Sequence, residues 1–249
     1  VKVALLSHLA SVQAPTGAER SLALLALWLR TRGHEVAVPA PGPWALKAGL
    51  ETTGVTVDSI PVRACWLVQY GEQKLWQQLA RAARYSVPDR GFAALTAWIR
   101  KVGPEVVHVN CLPHLRGASA ARVCGLPVVW HVREILAAGR RRRWFAGRLA
   151  RDATRIVAVS EAVAEWLRDE GLGERVEVVH HGVDPPVEDF DRDTARVALG
   201  LPTNGVVVGF FSQLVDHKGA LDFVHAAHAA AEREPSLRFL LAGHGAETS

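Results

Sequence analysis

Methionine is missing from this 249-residue sequence, position 1 included, and its three cysteines, Cys65, Cys111 and Cys124, form no CxxC pair. An odd and scattered set of thiols excludes a disulfide framework and a cysteine-based zinc site, and it fits a reducing compartment. The missing methionines read as the mark of a processed, trimmed or partial version of a gene product. No apolar run approaches the roughly 20 residues that cross a bilayer. The opening VKVALLSHLA suits a strand better than a secretion signal, because no small-residue cleavage pattern follows it. GxGxxG after the first strand, GxxxxGK[ST], HExxH and GxSxG are all absent. Dinucleotide oxidoreductase, P-loop NTPase, zincin and α/β-hydrolase readings therefore lose their main support.

What is present is ordinary globular material, 49% hydrophobic and 22% charged, long enough for two α/β domains or one large one. The net charge of +4 is unevenly spread. Seven arginines between Gly139 and Arg155 face one acid, Asp152, so the remainder of the chain is net acidic. A basic character confined to one segment describes a local surface and argues against a nucleic-acid partner. Within it, Arg140, Arg141, Arg142 and Arg143 precede Trp144 and Phe145, the composition of an interfacial helix lying on anionic lipid. A solvated basic face or a subsite for an anionic acceptor is the alternative.

Periodicity supplies the architecture. Lys2 to Leu6 reads as a strand, the loop 7–16 carries Pro15, a helix over Leu22 to Leu29 stops at Gly33, and Glu35 to Val38 is a second strand. This is a βαβ unit, and the expected fold class is α/β with parallel sheets. Further helices are expected at 44–53, 74–84, 92–101 and 119–123, with strands at 55–60, 106–109, 127–131, 155–159 and 177–180. Residues 1–184 then form one domain. The acidic stretch from Asp184 to Asp193, with Pro185 and Pro186, begins a linker over 185–204. Residues 205–249 begin a second, incomplete α/β domain: the strand Val206 to Phe210, expected to be buried on both faces, a helix from Lys218, and a strand at 237–242.

Three positions suit one anionic ligand. Gly17 lets backbone amides approach without a Cβ, His131 sits at the carboxyl end of a strand where ligands of open sheets gather, and Lys218 stands at a helix start. Histidine pairs do not make a metal site: His180 and His181 are adjacent and diverge, and His225 and His228 have no further ligand nearby.

The segments TGAERSLALLALWLRTRGHEV (16–36), PEVVHVN (104–110), PVVWHVRE (127–134), IVAVSEAVAEWL (156–167), VEVVHHGVD (176–184), VVGFFSQLVDHKG (207–219) and LRFLLAGHG (237–245) occur in an order that resembles family-4 glycosyltransferases of the GT-B fold. The resemblance implies two Rossmann-like domains, a nucleotide-diphosphate sugar as donor substrate and no other cofactor. It also implies retention at the anomeric carbon, no obligatory metal, a saccharide or lipid-linked acceptor, and a cytoplasmic enzyme, peripheral at the inner membrane face. By position it makes His131 the catalytic-centre residue contacting the transferred sugar, with Gly17, Gln213 and Lys218 on the donor phosphates. Gln213 replaces a usual arginine, His180 and His181 stand where Pro and Asn are common, and His244 replaces an acid. The family's paired glutamates fall beyond Ser249, so this chain is expected not to turn over. Two alternatives stay open: a sugar-nucleotide epimerase of the same fold, and a non-catalytic carbohydrate-binding or partner protein.

Overall fold

A computed structural model of the chain describes residues 1–13, 15–63, 90–182, 191–215 and 218–243. They divide into two compact units, Val1–Gly182 and Val183–Ser249. The helix expected at 74–84, the turn at His244 and part of the 185–204 linker lie outside the described residues.

The first unit is a seven-stranded, all-parallel sheet in the order β3-β2-β1-β4-β5-β6-β7. Its strands are β1 (Lys2–Leu6), β2 (Glu35–Ala40), β3 (Thr56–Ser59), β4 (Val106–Val109), β5 (Val128–Val132), β6 (Arg155–Ala158) and β7 (Val176–Val178). Helices α1 (Gly17–Thr31), α2 (Lys47–Glu51), α3 (Arg90–Val102), α4 (Leu115–Val123), α5 (Arg140–Asp152) and α6 (Glu161–Asp169) connect them. The sheet has two buried faces because alternate residues of each strand point to opposite sides. Val3 and Leu5 of β1 pack with Leu22 and Ala26 of α1, whereas Ala4 and Leu6 join the core of Val107, Leu115, Trp130, Phe145 and Leu149. Burying each such leucine contributes roughly 1.5–3 kcal/mol. Strand order reverses at β1, which pairs with β2 on one side and β4 on the other. The crevice outside the carboxyl ends of β1 and β4 is therefore the switch point of the sheet.

Several boundaries differ from the sequence expectation for local reasons. Helix α4 begins at Leu115, not Ser119, because the His114 ring accepts the Gly117 amide at 3.2 Å and caps it. Strand β5 runs on to Val132, so His131 is the penultimate residue. Helix α2 is a single turn instead of the ten residues expected at 44–53. Ser160 caps α6 through the Val163 amide, as its position before Glu161 predicts.

The second unit, described by itself, has α7 (Arg192–Ala198), β8 (Val207–Phe211), α8 (Ala220–Arg233) and β9 (Arg238–Ala242), with β8 and β9 parallel. Helix α7, capped by Asp191, occupies sequence expected to be linker. Phe223 of α8 stacks near Phe210 and Phe239 at 5.3 and 6.2 Å. Strand β8 is not buried on both faces: Val208 is 38% and Phe211 72% exposed. Among the described residues, α8 packs on one face of this two-stranded sheet through Phe223, and Phe211 on the opposite face stays in solvent.

Candidate functional site

The site is built where the switch point meets the first turn of α1. Thr16 caps that helix in a reciprocal box with Glu19. The Glu19 carboxylate is fully buried and accepts five hydrogen bonds of 2.7–2.8 Å, from the amides and hydroxyls of Ser11 and Thr16 and from Trp44 Nε1. Burial pushes its pKa up, but the bonds from Thr16 and Ser11 outweigh that and hold it below the ordinary value. Glu19 thus pins the loop 7–16 over the end of β1. Gly17, the first residue of α1, is exposed, and a Cβ there would meet nothing within 4 Å. Its glycine is not required by the backbone, so the open space above it belongs to whatever approaches the helix end.

Beside this turn stands a polar cluster from the ends of β4 and β5. Asn110 donates through Nδ2 to the Ala18 carbonyl at 2.9 Å and accepts through Oδ1 from Arg133 Nη2 at 2.7 Å. Arg133 Nε reaches the Asn110 carbonyl at 3.1 Å, and Nη2 also donates to Ser21 Oγ at 3.2 Å. Ser21 in turn meets His181 Nδ1 at 3.2 Å. The His131 ring lies between those of His108 and His181, at 5.6 and 5.4 Å between centroids, with Nδ1 3.5 Å from Arg133 Nη2.

Desolvation first, then the Arg133 charge, lowers the pKa of His131 to about 2 and of His108 to about 3, and His181 is also lowered. Near neutral pH these rings are imidazoles, able to exchange hydrogen bonds but carrying no charge. The positive charge at the site is Arg133. Glu134 is half-buried, receives the amides of Arg133 and Leu112, and has its pKa raised by desolvation. No group of three or more His, Cys, Asp or Glu side chains among the described residues is arranged to hold a metal ion.

The structure therefore brings Gly17 and His131 into one unit, linked through Asn110 and Arg133. Gln213 and Lys218 lie together in the other unit, both exposed, in the connection from β8 to α8. Lys218 is not in the helix: its amide bonds the Val215 carbonyl at 3.0 Å, and Gly219, with φ 80°, caps α8. Glu19, Asn110 and Arg133 escaped the sequence reading. The T-x-x-E spacing of Thr16 and Glu19 signalled the first, and the strand-end rule that selected His131 applies equally to the other two.

The arginine segment is the helix α5. Phe145 and Leu149 of α5 are fully buried in the core, so its apolar face is already occupied, and Phe145 is corrected from surface contact to core residue. Arg142 is engaged by Glu170 at 2.7 Å and Asp169 at 3.0 Å. Buried Asp152 gathers Arg151, Arg122 and Arg148 at 2.7, 3.2 and 3.6 Å. The segment's charge is thereby partly neutralised within the fold. Arg140, Arg143 and Trp144 remain exposed. No helix among the described residues is long and apolar enough to cross a membrane.

Residues 15–186 match the sequence profile of Glycosyltransferase Family 4. The chain belongs to that family. The match takes in the whole polar cluster, so this family-4 chain carries the cluster in its family domain. Its fold is GT-B, shared with solved glycosyltransferases. HepE from Anabaena, crystallised with UDP-glucose, superposes with a TM-score of 0.62 at 23% identity, over 96% of this chain and 68% of that one. The lipopolysaccharide outer core galactosyltransferase WaaB, in its apo form, gives 0.56 at 13% identity over 100% and 69%. SsfS6, a glycosyltransferase of Streptomyces sp. SF2575, gives 0.51 at 13% over 99% and 68%. No curated protein matches this family-4 chain by sequence.

Proposed function

We propose that this chain serves the transfer of a sugar from a nucleotide-diphosphate donor to a saccharide or lipid-linked acceptor, with retention at the anomeric carbon and without an obligatory metal or other cofactor. The observation that carries the reading is the neutral His131, flanked by Arg133 and by the open first turn of α1 at Gly17, at the switch point of a family-4 sheet. In the reaction the bond from the anomeric carbon to the diphosphate breaks with its electron pair on the diphosphate. The acceptor hydroxyl bonds that carbon from the face the diphosphate leaves and passes its proton to the departing diphosphate oxygen. His131, held as the imidazole, contacts the transferred sugar, Gly17 leaves room for donor phosphate at the α1 amides, and Lys218 and Gln213 meet the diphosphate. Preorganised donors facing a departing diphosphate stabilise charge that develops in the transition state. That HepE binds UDP-glucose in its crystals supports a nucleotide-sugar donor.

The test is product formation from a panel of nucleotide sugars and acceptors, with anomeric configuration read by NMR. Gly17→Ala should keep or slightly raise the melting temperature, because the position is helical and unobstructed, while cutting transfer at least tenfold. Inverted product, or full transfer by Gly17→Ala, would sink the reading. Product from the nucleotide sugar alone would favour the epimerase, and binding of a saccharide without binding of any nucleotide sugar the non-catalytic partner. We place the protein in the cytoplasm, with the Arg140, Arg141, Arg143 and Trp144 end of α5 meeting an anionic membrane surface from which a lipid-linked acceptor is presented.

A further inference from the structure

Arg133 is held as few arginines are. Its Nε and Nη2 are fixed by the carbonyl and side-chain oxygens of Asn110 and by Ser21 Oγ. Each of these acceptors is neutral. Among the described residues no carboxylate pairs with the guanidinium, because the Glu134 oxygen turns instead to the backbone amides of Arg133 and Leu112. Nη1 donates to no described residue. A half-buried cation whose neighbouring carboxylate, Glu134, acts on it only through space is costly, and a fold that needed only structural cross-linking would be served better by a directly bonded carboxylate or an apolar side chain. The rings around it are uncharged, so no second cation competes for an incoming anion. Asn110 couples the guanidinium to the first turn of α1 through the Ala18 carbonyl, which sets one fixed donor group beside the free amides of a helix N-terminus. His131 Nε2, a buried nitrogen with no hydrogen-bond partner among the described residues, belongs to the same cluster.

We propose that Arg133 is an anion-binding residue of the first unit and that its Nη1 takes a phosphoryl oxygen of a substrate. The planar fork, already oriented by Asn110 and Ser21, suits a phosphate better than a mobile lysine does. Two sources carry that chemistry, the diphosphate of a nucleotide and a phosphomonoester on an acceptor. The glycosyl-transfer reading bears only on which source is used; the anion site stands or falls by binding.

The experiment titrates the full chain with UDP in one arm and glycerol phosphate in the other, following the histidine ring resonances by NMR. Wild type, Arg133→Gln, Arg133→Lys and Lys218→Gln are compared. A charged hydrogen bond predicts that Arg133→Gln weakens the bound anion by about tenfold or more. Arg133→Lys should recover part of that affinity, and wild-type affinity should fall with salt. Loss confined to UDP assigns the nucleotide diphosphate, and loss confined to glycerol phosphate assigns a phosphate-bearing acceptor. Should Arg133→Gln fail to fold, the Arg133→Lys comparison and the salt series carry the test. Wild-type affinity in a folded Arg133→Gln, or binding of neither anion by wild type, overturns the proposal. Anion binding that depends on Arg133, together with product from the nucleotide sugar alone, would instead leave this site standing and remove the transferase reading.

Discussion

At the scale of single residues, the molecule has placed several ionisable groups largely out of water. His8, His108, His114 and His131 have pKa values lowered to about 4, 3, 3 and 2, in each case by burial first. An unfolded histidine titrates near 6.5. Between these folded values and 6.5 the unfolded chain binds more protons, so stability is full above pH 6.5 and falls as pH drops. Each such histidine contributes a slope of up to about 1.4 kcal/mol per pH unit in that window. Glu19 acts in the same direction at lower pH, since its folded pKa is depressed below 4.5 and its contribution is lost as pH falls through that folded value. Urea unfolding at pH 7 and pH 5 should show a lower midpoint in acid, and His108→Gln should flatten the dependence. A midpoint indifferent to pH over this range would contradict the burial of these rings.

At the scale of elements, helix α5 shows how one segment serves two ends. Its inner face is core and its charged flank is knitted to α4 and α6 by Asp152, Asp169 and Glu170. Asp152 is the acceptor for three arginines and Ser119. Asp152→Ala leaves those donors without their acceptor and should cost about 3 kcal/mol by chemical denaturation. An effect below about 0.5 kcal/mol, typical of a surface pair, would show that the arginines find water instead. The exposed remainder, with Arg140, Arg143 and Trp144 at the helix start, is the part left for a membrane. Four arginines in the first turn oppose the helix dipole, a placement that an anionic surface relieves. Co-sedimentation with anionic vesicles should therefore exceed that with neutral ones and drop when Arg140 and Arg143 are changed to Glu. Equal sedimentation with both vesicle types would remove the contact.

At the scale of the whole molecule, the two units differ in how much they bury. The first has two continuous cores on either side of its sheet, whereas no residue of β8, α8 or β9 is buried. Amides of β1, β4 and β5 should exchange with solvent at rates set by global opening, and those of 207–242 much faster, as measured by hydrogen exchange. Uniform protection across both units would show that they open as one.

The sequence by itself determined the parallel α/β plan and most strand positions, because a buried parallel strand must be continuously apolar and PEVVHVN or PVVWHVRE admits little else. It also placed His131 and Gly17 at sheet and helix ends, and the ordered segments pointed to the family. What it could not supply was which polar groups meet. Ser21, Asn110, Arg133 and His181 are separated by up to 160 residues in the chain, and their network exists only once β1, β4 and β5 lie side by side. Nor could composition tell that Phe145 and Leu149 face inward, since an amphipathic arginine-rich helix reads alike whether its apolar stripe meets lipid or a sheet. Tertiary packing decided that, by covering the stripe with the core and leaving the charged start of α5 in water.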